Sequence, residues 1–172
     1  RVDRRPVGGG PGVVLEPAAI LRAVQKAVGK QKAEIIFFST DGKAFDEAMA
    51  KKMARNPRGV ASWKHLVLIC GHYEGVDARV QKILKAKKIS VGPYVLTGGE
   101  LPAATVIDAI ARHVPGVLGK AESLEASRVS SPEVYTRPEV LTWKGKKYRV
   151  PKVLLTGHHA KIEEWKKKKR SK

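Results

Sequence analysis

The chain has 172 residues, of which 42% are hydrophobic, so it can build one sizeable core and is not a disordered protein. A net charge of +18 favours a nucleic-acid partner over a soluble surface with a frayed basic end. No apolar run approaches the roughly 20 residues of a transmembrane helix, and no secretory signal is visible. We therefore expect a cytoplasmic protein that does not bind membranes.

The first part of the chain opens with a loop, residues 5–12, that is too rich in Gly and Pro for regular structure. Pro17 then starts a predicted helix, with apolar residues at positions 20, 21, 24 and 28. A buried strand is expected from Glu34 to Phe38, ended by residues 39–42. A second helix is expected from Phe45 to Ala54, closed around Asn56 and Pro57.

The clearest strand is His65 to Cys70, which runs into a loop at residues 71–77 and a short helix, Ala78 to Leu84. Another strand, Lys88 to Val91, leads into a loop and a helix from Leu101 to His113. Strands, loops and helices that alternate in this way predict an α/β domain with a mostly parallel sheet. Ligands in such sheets bind beyond the carboxyl ends of the strands, where the glycine-bearing loops fall.

The loop at residues 91–102 holds three glycines, two prolines and a glutamate, but no Lys or Arg. Neither the Rossmann fingerprint nor the P-loop pattern is present, so a dinucleotide or triphosphate site is not expected. The loop predicts either a small flat ligand held by backbone groups and apolar walls, or a tight structural turn.

The single cysteine, Cys70, excludes a disulfide framework and indicates a reducing compartment. Its place at the end of an apolar strand favours a buried structural thiol over a nucleophile. One cysteine and five scattered histidines do not supply a spaced set of ligands, so no metal site is predicted from the sequence.

The last third of the chain contains a polar segment, residues 120–132, which we interpret as a linker or lid. Short extended pieces are expected at residues 135–138, 144–146 and 153–155, before a final helix from His159 to Lys169 that ends in a basic tail. The predicted organisation is therefore a domain at 1–119, a linker at 120–132 and a C-terminal segment at 133–172.

Five motifs together resemble one family, the bacterial tRNA (guanine-N1)-methyltransferases that modify guanosine at tRNA position 37. They lie at residues 8–12, 70–77, 91–102, 135–138 and 154–159, in family order. The resemblance implies a SPOUT-type parallel sheet flanked by helices, with a C-terminal deep trefoil knot. It also implies a tRNA partner and a homodimer whose active site lies at the subunit interface.

In this family the knot loops bind S-adenosylmethionine, and a need for Mg²⁺ stays open. By motif position, the resemblance implies the cofactor residues Gly71, Val91, Gly92, Pro93, Tyr94, Val95, Leu96, Gly98 and Gly99. The substrate residues implied in the same way are Asp3, Gly9, Gly10, Tyr73 and Glu74. Glu74 could instead be a carboxylate placed at the start of a helix.

Arg112 matches the family's catalytic arginine, although an arginine is also favourable at a helix C-terminus. Guanine N1 carries a proton, so the chemistry needs a base, while an arginine can stabilise charge on O6. The family's catalytic aspartate is replaced here by Ser127, with Glu125 and Glu122 as neighbouring carboxylates. A working rearrangement and a weakened or inactive RNA-binding relative with an intact cofactor pocket both stay open.

Two further departures concern the family pattern. Pro93 replaces an acidic residue that is common in the cofactor loop. Relative to the family, we expect the first strand and helix, and most of the C-terminal helical domain, to be missing from this sequence.

Overall fold

The structure is a computed structural model that describes residues 1–54, 65–117 and 131–170. The chain divides into two compact units, Arg1–Val117 and Leu118–Lys172, and each is described by itself. None of the helices in the described parts of the chain has the length and apolar character needed to cross a bilayer.

The first unit begins with two short antiparallel strands, β1 (Asp3–Arg4) and β2 (Val14–Leu15), which close the glycine-rich loop between them. Helix α1 follows at Pro17–Val28, as the apolar spacing predicts, with Pro17 in its first turn. Proline suits that position because the first helical N–H groups have no partner within the helix.

A three-stranded parallel sheet forms the centre of this unit. Its strands are β3 (Ala33–Ala44), β4 (His65–Ile69) and β5 (Lys87–Ser90), in the spatial order β4-β3-β5. In the central strand, Ile36 lies opposite Leu68 on one side and Lys87 on the other, and it is fully buried. The predicted mixed α/β class with a parallel sheet is therefore confirmed.

The end of β3 corrects one expectation, because the strand does not stop at Phe38. Phe38 and Lys43 both align with Ile89, so residues 39–42 bulge out of the ladder before pairing resumes to Ala44. A methyl group on Gly42 would lie 2.6 Å from the backbone nitrogen of Ile89. Only glycine allows the bulge to return so close to β5, so the turn chemistry at 39–42 produces a bulge within a continuing strand.

Helices α2 (Glu47–Ala54), α3 (Ala78–Leu84) and α4 (Glu100–Ala111) complete the unit. Helix α2 begins two residues later than the predicted Phe45. It packs on α4 through the small residues Ala50 and Ala54, which meet Val106 and Ile110 in the buried core. Helix α1 packs on α3. The predicted end of α2, at residues 56–57, lies outside the described residues.

The second unit contains strands β6 (Val140–Trp143) and β7 (Lys146–Arg149), a 3₁₀ helix at Lys152–Leu155 and helix α5 at His159–Arg170. Lys144 and Gly145 both have positive φ, 47° and 76°, which suits a two-residue hairpin turn. The extended piece expected at residues 144–146 is therefore wrong for its first two residues, and only Lys146 lies in a strand. The final helix is confirmed. The extended piece expected at residues 153–155 is wrong, because Leu154 closes a helical turn on Pro151 instead.

Of the predicted linker at 120–132, all but the last two residues lie outside the part of the chain that the structure describes. The predicted division at 119 and 132 therefore stays a prediction.

Candidate functional site

Two glycine loops meet at the carboxyl ends of β4 and β5. The backbone N–H of Gly99 donates to the carbonyl oxygen of Gly71 at 2.8 Å, and Gly98 forms an antiparallel bridge with His72. These contacts tie the loop after β4 to the start of α4. The two loops therefore form one continuous wall at the sheet edge where ligands of parallel sheets bind.

A cleft of about 200 Å³ opens between these loops and the bulge of β3. The predicted cofactor residues that line it are Gly71, Val91, Gly92, Tyr94, Val95, Leu96, Gly98 and Gly99. Pro93 does not line it. The sequence analysis missed other lining residues, notably Ser39 and Thr40. Their position directly after a buried strand could have indicated a place at the ligand-binding edge of the sheet. The bulge that turns them toward the cleft, however, depends on tertiary packing.

Close packing fixes the floor of the cleft. A methyl group on Gly99 would lie 2.5 Å from the Cα of Cys70 and 2.9 Å from the nitrogen of Gly71. On Gly98 it would lie 2.7 Å from Nδ1 of His72. The first clash is with backbone and cannot be relieved by a side-chain rotation. Glycine at position 99 is therefore required for the two loops to approach.

The loop after β5 is shaped by its own hydrogen bonds. The Ser90 hydroxyl donates to the carbonyl of Gly92 at 2.9 Å and accepts from the N–H of Gly92 at 3.2 Å. The Tyr94 hydroxyl donates to the carbonyl of Val91 at 3.2 Å. Val95 is 88% exposed at the mouth of the cleft. The loop thus folds back on itself and presents apolar side chains to the opening.

The cleft carries little charge. None of the described residues that line it is Lys or Arg, and its ionisable side chains are His72, Tyr73, Glu74 and Tyr94. The rings of His72 and Tyr73 meet edge to face at 4.7 Å. Beside the cleft, burial and then the charge of Glu100 raise the pKa of the Cys70 thiol above its ordinary value. Cys70 is therefore protonated at neutral pH, which fits a structural thiol.

Glu74 lines the cleft and also contacts the glycine-rich loop between β1 and β2. Its N–H donates to the carbonyl of Val13 at 3.1 Å, and a methyl group on Gly12 would lie 2.5 Å from its Oε1. Tyr73 and Glu74 both line the cleft. The carboxylate that begins α3 by capping is Asp77, not Glu74. The alternative of Glu74 as a helix-start carboxylate is therefore disfavoured.

Other predicted substrate residues lie along the chain outside this lining. Asp3 is in β1, and its carbonyl accepts from Nε of Arg1 at 2.9 Å. Gly9 and Gly10 are exposed in the loop between β1 and β2, with φ of 85° and 114°. The structure brings Tyr73 and Glu74 to the cleft but not these three residues.

Arg112 ends α4 and is half-buried, and it is not among the residues that line the cleft. Its charge contributes, after Lys51 and His113, to holding the pKa of the Glu47 carboxyl below its ordinary value. Glu125 and Ser127 lie outside the described residues. Within the described ranges, no group of three or more His, Cys, Asp or Glu residues comes together as a metal site would need.

Comparison with known proteins identifies the family. The family model for tRNA (guanine-1)-methyltransferase TrmD matches residues 1–172. A tRNA (guanine-N(1)-)-methyltransferase of Magnetococcus marinus is 42% identical over 171 residues, which cover 97% of this chain and 65% of the relative. The corresponding proteins of Thermomicrobium roseum and Moorella thermoacetica are 45% and 44% identical, over 59% and 64% of their lengths.

This chain thus spans less than two thirds of the length of these relatives. Each of them carries a methyltransferase name, so the alternative of an inactive relative finds no support among them. The resemblance drawn from the five motifs is confirmed. The chain belongs to the tRNA (guanine-1)-methyltransferase TrmD family.

Proposed function

We propose that the chain binds S-adenosylmethionine in the cleft and transfers its methyl group to N1 of guanosine at position 37 of tRNA, in the cytoplasm. The observation that carries the proposal is a cleft built from glycine-loop backbone and apolar side chains, with no cation among the described residues that line it. A phosphate-bearing cofactor would need such a cation or a phosphate-binding loop. A flat adenine with a sulfonium chain needs neither.

The residues present fit this cofactor. Residues 94–97 offer backbone N–H and C=O groups for an adenine edge, and Leu96 and Val95 offer apolar contact. The carbonyl of Val91 and the backbone groups of Gly92 are already bonded within the loop. Gly98 and Gly99 let the two loops approach closely enough for their backbone to form the cleft wall. Bound there, S-adenosylmethionine would supply an electrophilic methyl group.

The chain's own residues would prepare the guanine. Loss of the N1 proton to a carboxylate makes N1 nucleophilic, and the charge that builds on O6 needs a nearby cation. Arg112 would stabilise that charge, and Glu74 and Tyr73 would contact the base from the cleft wall. We propose Glu125 as the proton acceptor, with Ser127, two positions later in the sequence, at the family's aspartate position.

A homodimer and a deep trefoil knot complete the proposal. The cleft volume of about 200 Å³ is below the roughly 300–1,000 Å³ of most ligand sites. A second subunit that covers the exposed residues Tyr73 and Val95 would close it, and could bring in the carboxylate and Arg112. The bonds between the loops at 71–72 and 98–99 hold together the loops that a knotted cofactor site would use.

Calorimetric titration with S-adenosylhomocysteine tests the cofactor site. We expect one site per subunit, and a loss of at least about tenfold in affinity for Leu96→Asp, because a carboxylate there would be desolvated by the ligand. The matched control is Ile83→Asp on the exposed part of α3, which should bind within about twofold of wild type. Equal weakening by both variants would contradict the assignment.

Methyl incorporation into an unmodified tRNA transcript tests the reaction. A transcript with guanosine at position 37 should accept methyl groups, while one with adenosine there should not. Glu125→Ala should abolish turnover while leaving S-adenosylhomocysteine binding unchanged. A wild-type chain without turnover that gains it through Ser127→Asp would refute the enzyme function proposed for this sequence.

A further inference from the structure

The hairpin of β6 and β7 is exposed along its whole length. Every residue from Val140 to Arg149 is exposed, including the large side chains Leu141, Trp143 and Tyr148 at 53%, 64% and 54%. Isolated two-stranded hairpins are marginal in water, and aromatic side chains are costly to leave in solvent. An exposed aromatic surface on a hairpin indicates a contact surface for a partner.

The register gathers the aromatic residues on one face. Leu141 lies opposite Tyr148, and Trp143 lies opposite Lys146. Side chains alternate between the faces of a strand, so these four residues share one face. The other face holds Val140, Thr142, Lys147 and Arg149. One face thus combines two aromatic rings with a cation, and the opposite face adds two more cations.

The positive charge of the hairpin indicates which kind of partner it binds. Between residues 140 and 149 there are four cations, Lys144, Lys146, Lys147 and Arg149, and no Asp or Glu. Among the described residues, no carboxylate forms an ion pair with any of the four. A protein partner would need a matching acidic, apolar surface, whereas RNA supplies phosphates and flat bases together.

We propose that this hairpin is an RNA-binding surface, on which an unpaired base stacks against Trp143 or Tyr148 while Lys146, Lys147 and Arg149 contact the phosphates. The inference rests on the proposed function for its choice of tRNA as the RNA. It adds a contact surface in the second unit, separate in sequence from the cleft residues. Sequence-specific readout is not required, because stacking accepts any base.

The test measures the affinity of the full chain for an unmodified tRNA transcript by fluorescence anisotropy, without cofactor, across a salt series. Trp143→Ala should weaken binding by about 5- to 100-fold, as expected for the loss of one stacked base. Trp143→Phe keeps a ring and should stay within about threefold of wild type. Lys146→Gln/Lys147→Gln should make the dependence of log affinity on log salt shallower by up to about 0.7–0.9 per lost phosphate contact.

The matched control is Lys26→Gln/Lys30→Gln, which removes the same charge from exposed positions at the end of α1. If the hairpin pair changes affinity and salt dependence no more than this control, the inference is overturned. It is also overturned if the hairpin variants instead change the sedimentation mass, which would mean that a second copy covers the surface. Circular dichroism checks that each variant is folded, and the salt series on Lys146→Gln/Lys147→Gln keeps the test decisive if Trp143→Ala is not.

A photoreactive uridine in the transcript gives an independent readout, since cross-links should map to residues 140–149. The two proposals fail separately. Methyl incorporation by a chain whose hairpin variants bind RNA like the control would refute the hairpin surface and leave the enzyme function. If the hairpin variants lose RNA affinity but the chain incorporates no methyl groups, the enzyme function is refuted and the hairpin surface stands.

Discussion

Single residues in this protein determine whether the loops after β4 and β5 can pack against each other. Gly99 is the clearest case, because its N–H bonds to Gly71 while its Cα faces the backbone of Cys70. The contact joins the end of β4 to the start of α4. A side chain here would push the loops apart and open the cleft floor.

We therefore expect Gly99→Ala to lower the free energy of unfolding by about 1–3 kcal/mol, the range for overpacking of a well-packed site. Chemical denaturation measures this, and S-adenosylhomocysteine affinity should fall in parallel. The same substitution at Gly71 is the control, because its methyl group would meet Val76 at an ordinary 3.5 Å. Equal losses of stability in the two variants would contradict the backbone clash at position 99.

At the scale of elements, helix α3 shows how a seven-residue helix is held at its start. The Asp77 side chain accepts from the N–H of Arg79 at 2.9 Å and also pairs with the Arg79 guanidinium at 2.6 Å. The hydrogen bonds from Arg79 lower the pKa of Asp77 to about 2. The carboxylate cap therefore offsets the weak helix-forming tendency of so short a segment.

Asp77→Ala should lower the free energy of unfolding by about 1 kcal/mol at neutral pH, whereas Asp77→Asn keeps a capping oxygen and should lose less. Because the folded pKa is below the unfolded value, the contribution of the charge is complete above the ordinary value of 3.8. It is lost as pH falls through about 2. The difference in the free energy of unfolding between wild type and Asp77→Asn should therefore shrink as the pH falls from about 4 to about 2. A constant difference across that range would refute the role of the charge.

At the scale of the whole molecule, the net charge of +18 favours association with polyanions. The cations are spread through both units, and helix α5 carries a dense group of them at 166–170. In that helix Lys169 pairs with Glu133 at 2.7 Å and lies over the ring of Trp165 at 5.9 Å. Part of the basic helix thus stabilises its own unit, while exposed lysines stay available for phosphates.

Lys161→Gln/Lys168→Gln should make the slope of log RNA affinity against log salt concentration shallower, by up to about 0.7–0.9 per lost phosphate contact. Thermal stability should not change. Both residues are exposed and lie seven positions apart on α5. Lys169→Gln, in contrast, should also lower the melting temperature, because it removes the contact with Glu133. A salt dependence that stays unchanged in the first variant would exclude Lys161 and Lys168 from RNA binding.

Local patterns predicted most of the elements. Helices α1 and α3 and strands β4 and β5 follow their apolar spacing to within about a residue, because each has punctuating Gly, Pro or Asp residues nearby. Residues 153–155 were mispredicted, since three apolar residues in a row have no period that separates a strand from a 3₁₀ turn. The bulge at residues 39–42 also escaped prediction, because it depends on pairing between Phe38, Lys43 and Ile89.

The sequence by itself determined the family, the parallel α/β class and the glycine loops, because these depend on local composition and on motifs that the chain carries in order. Only the tertiary structure decided that Ser39 and Thr40 join the cleft, that Pro93 does not line it, and that Glu74 packs against Gly12. The reason is physical: these features depend on contacts between segments far apart in the chain. Such contacts leave no trace in the periodicity of either segment.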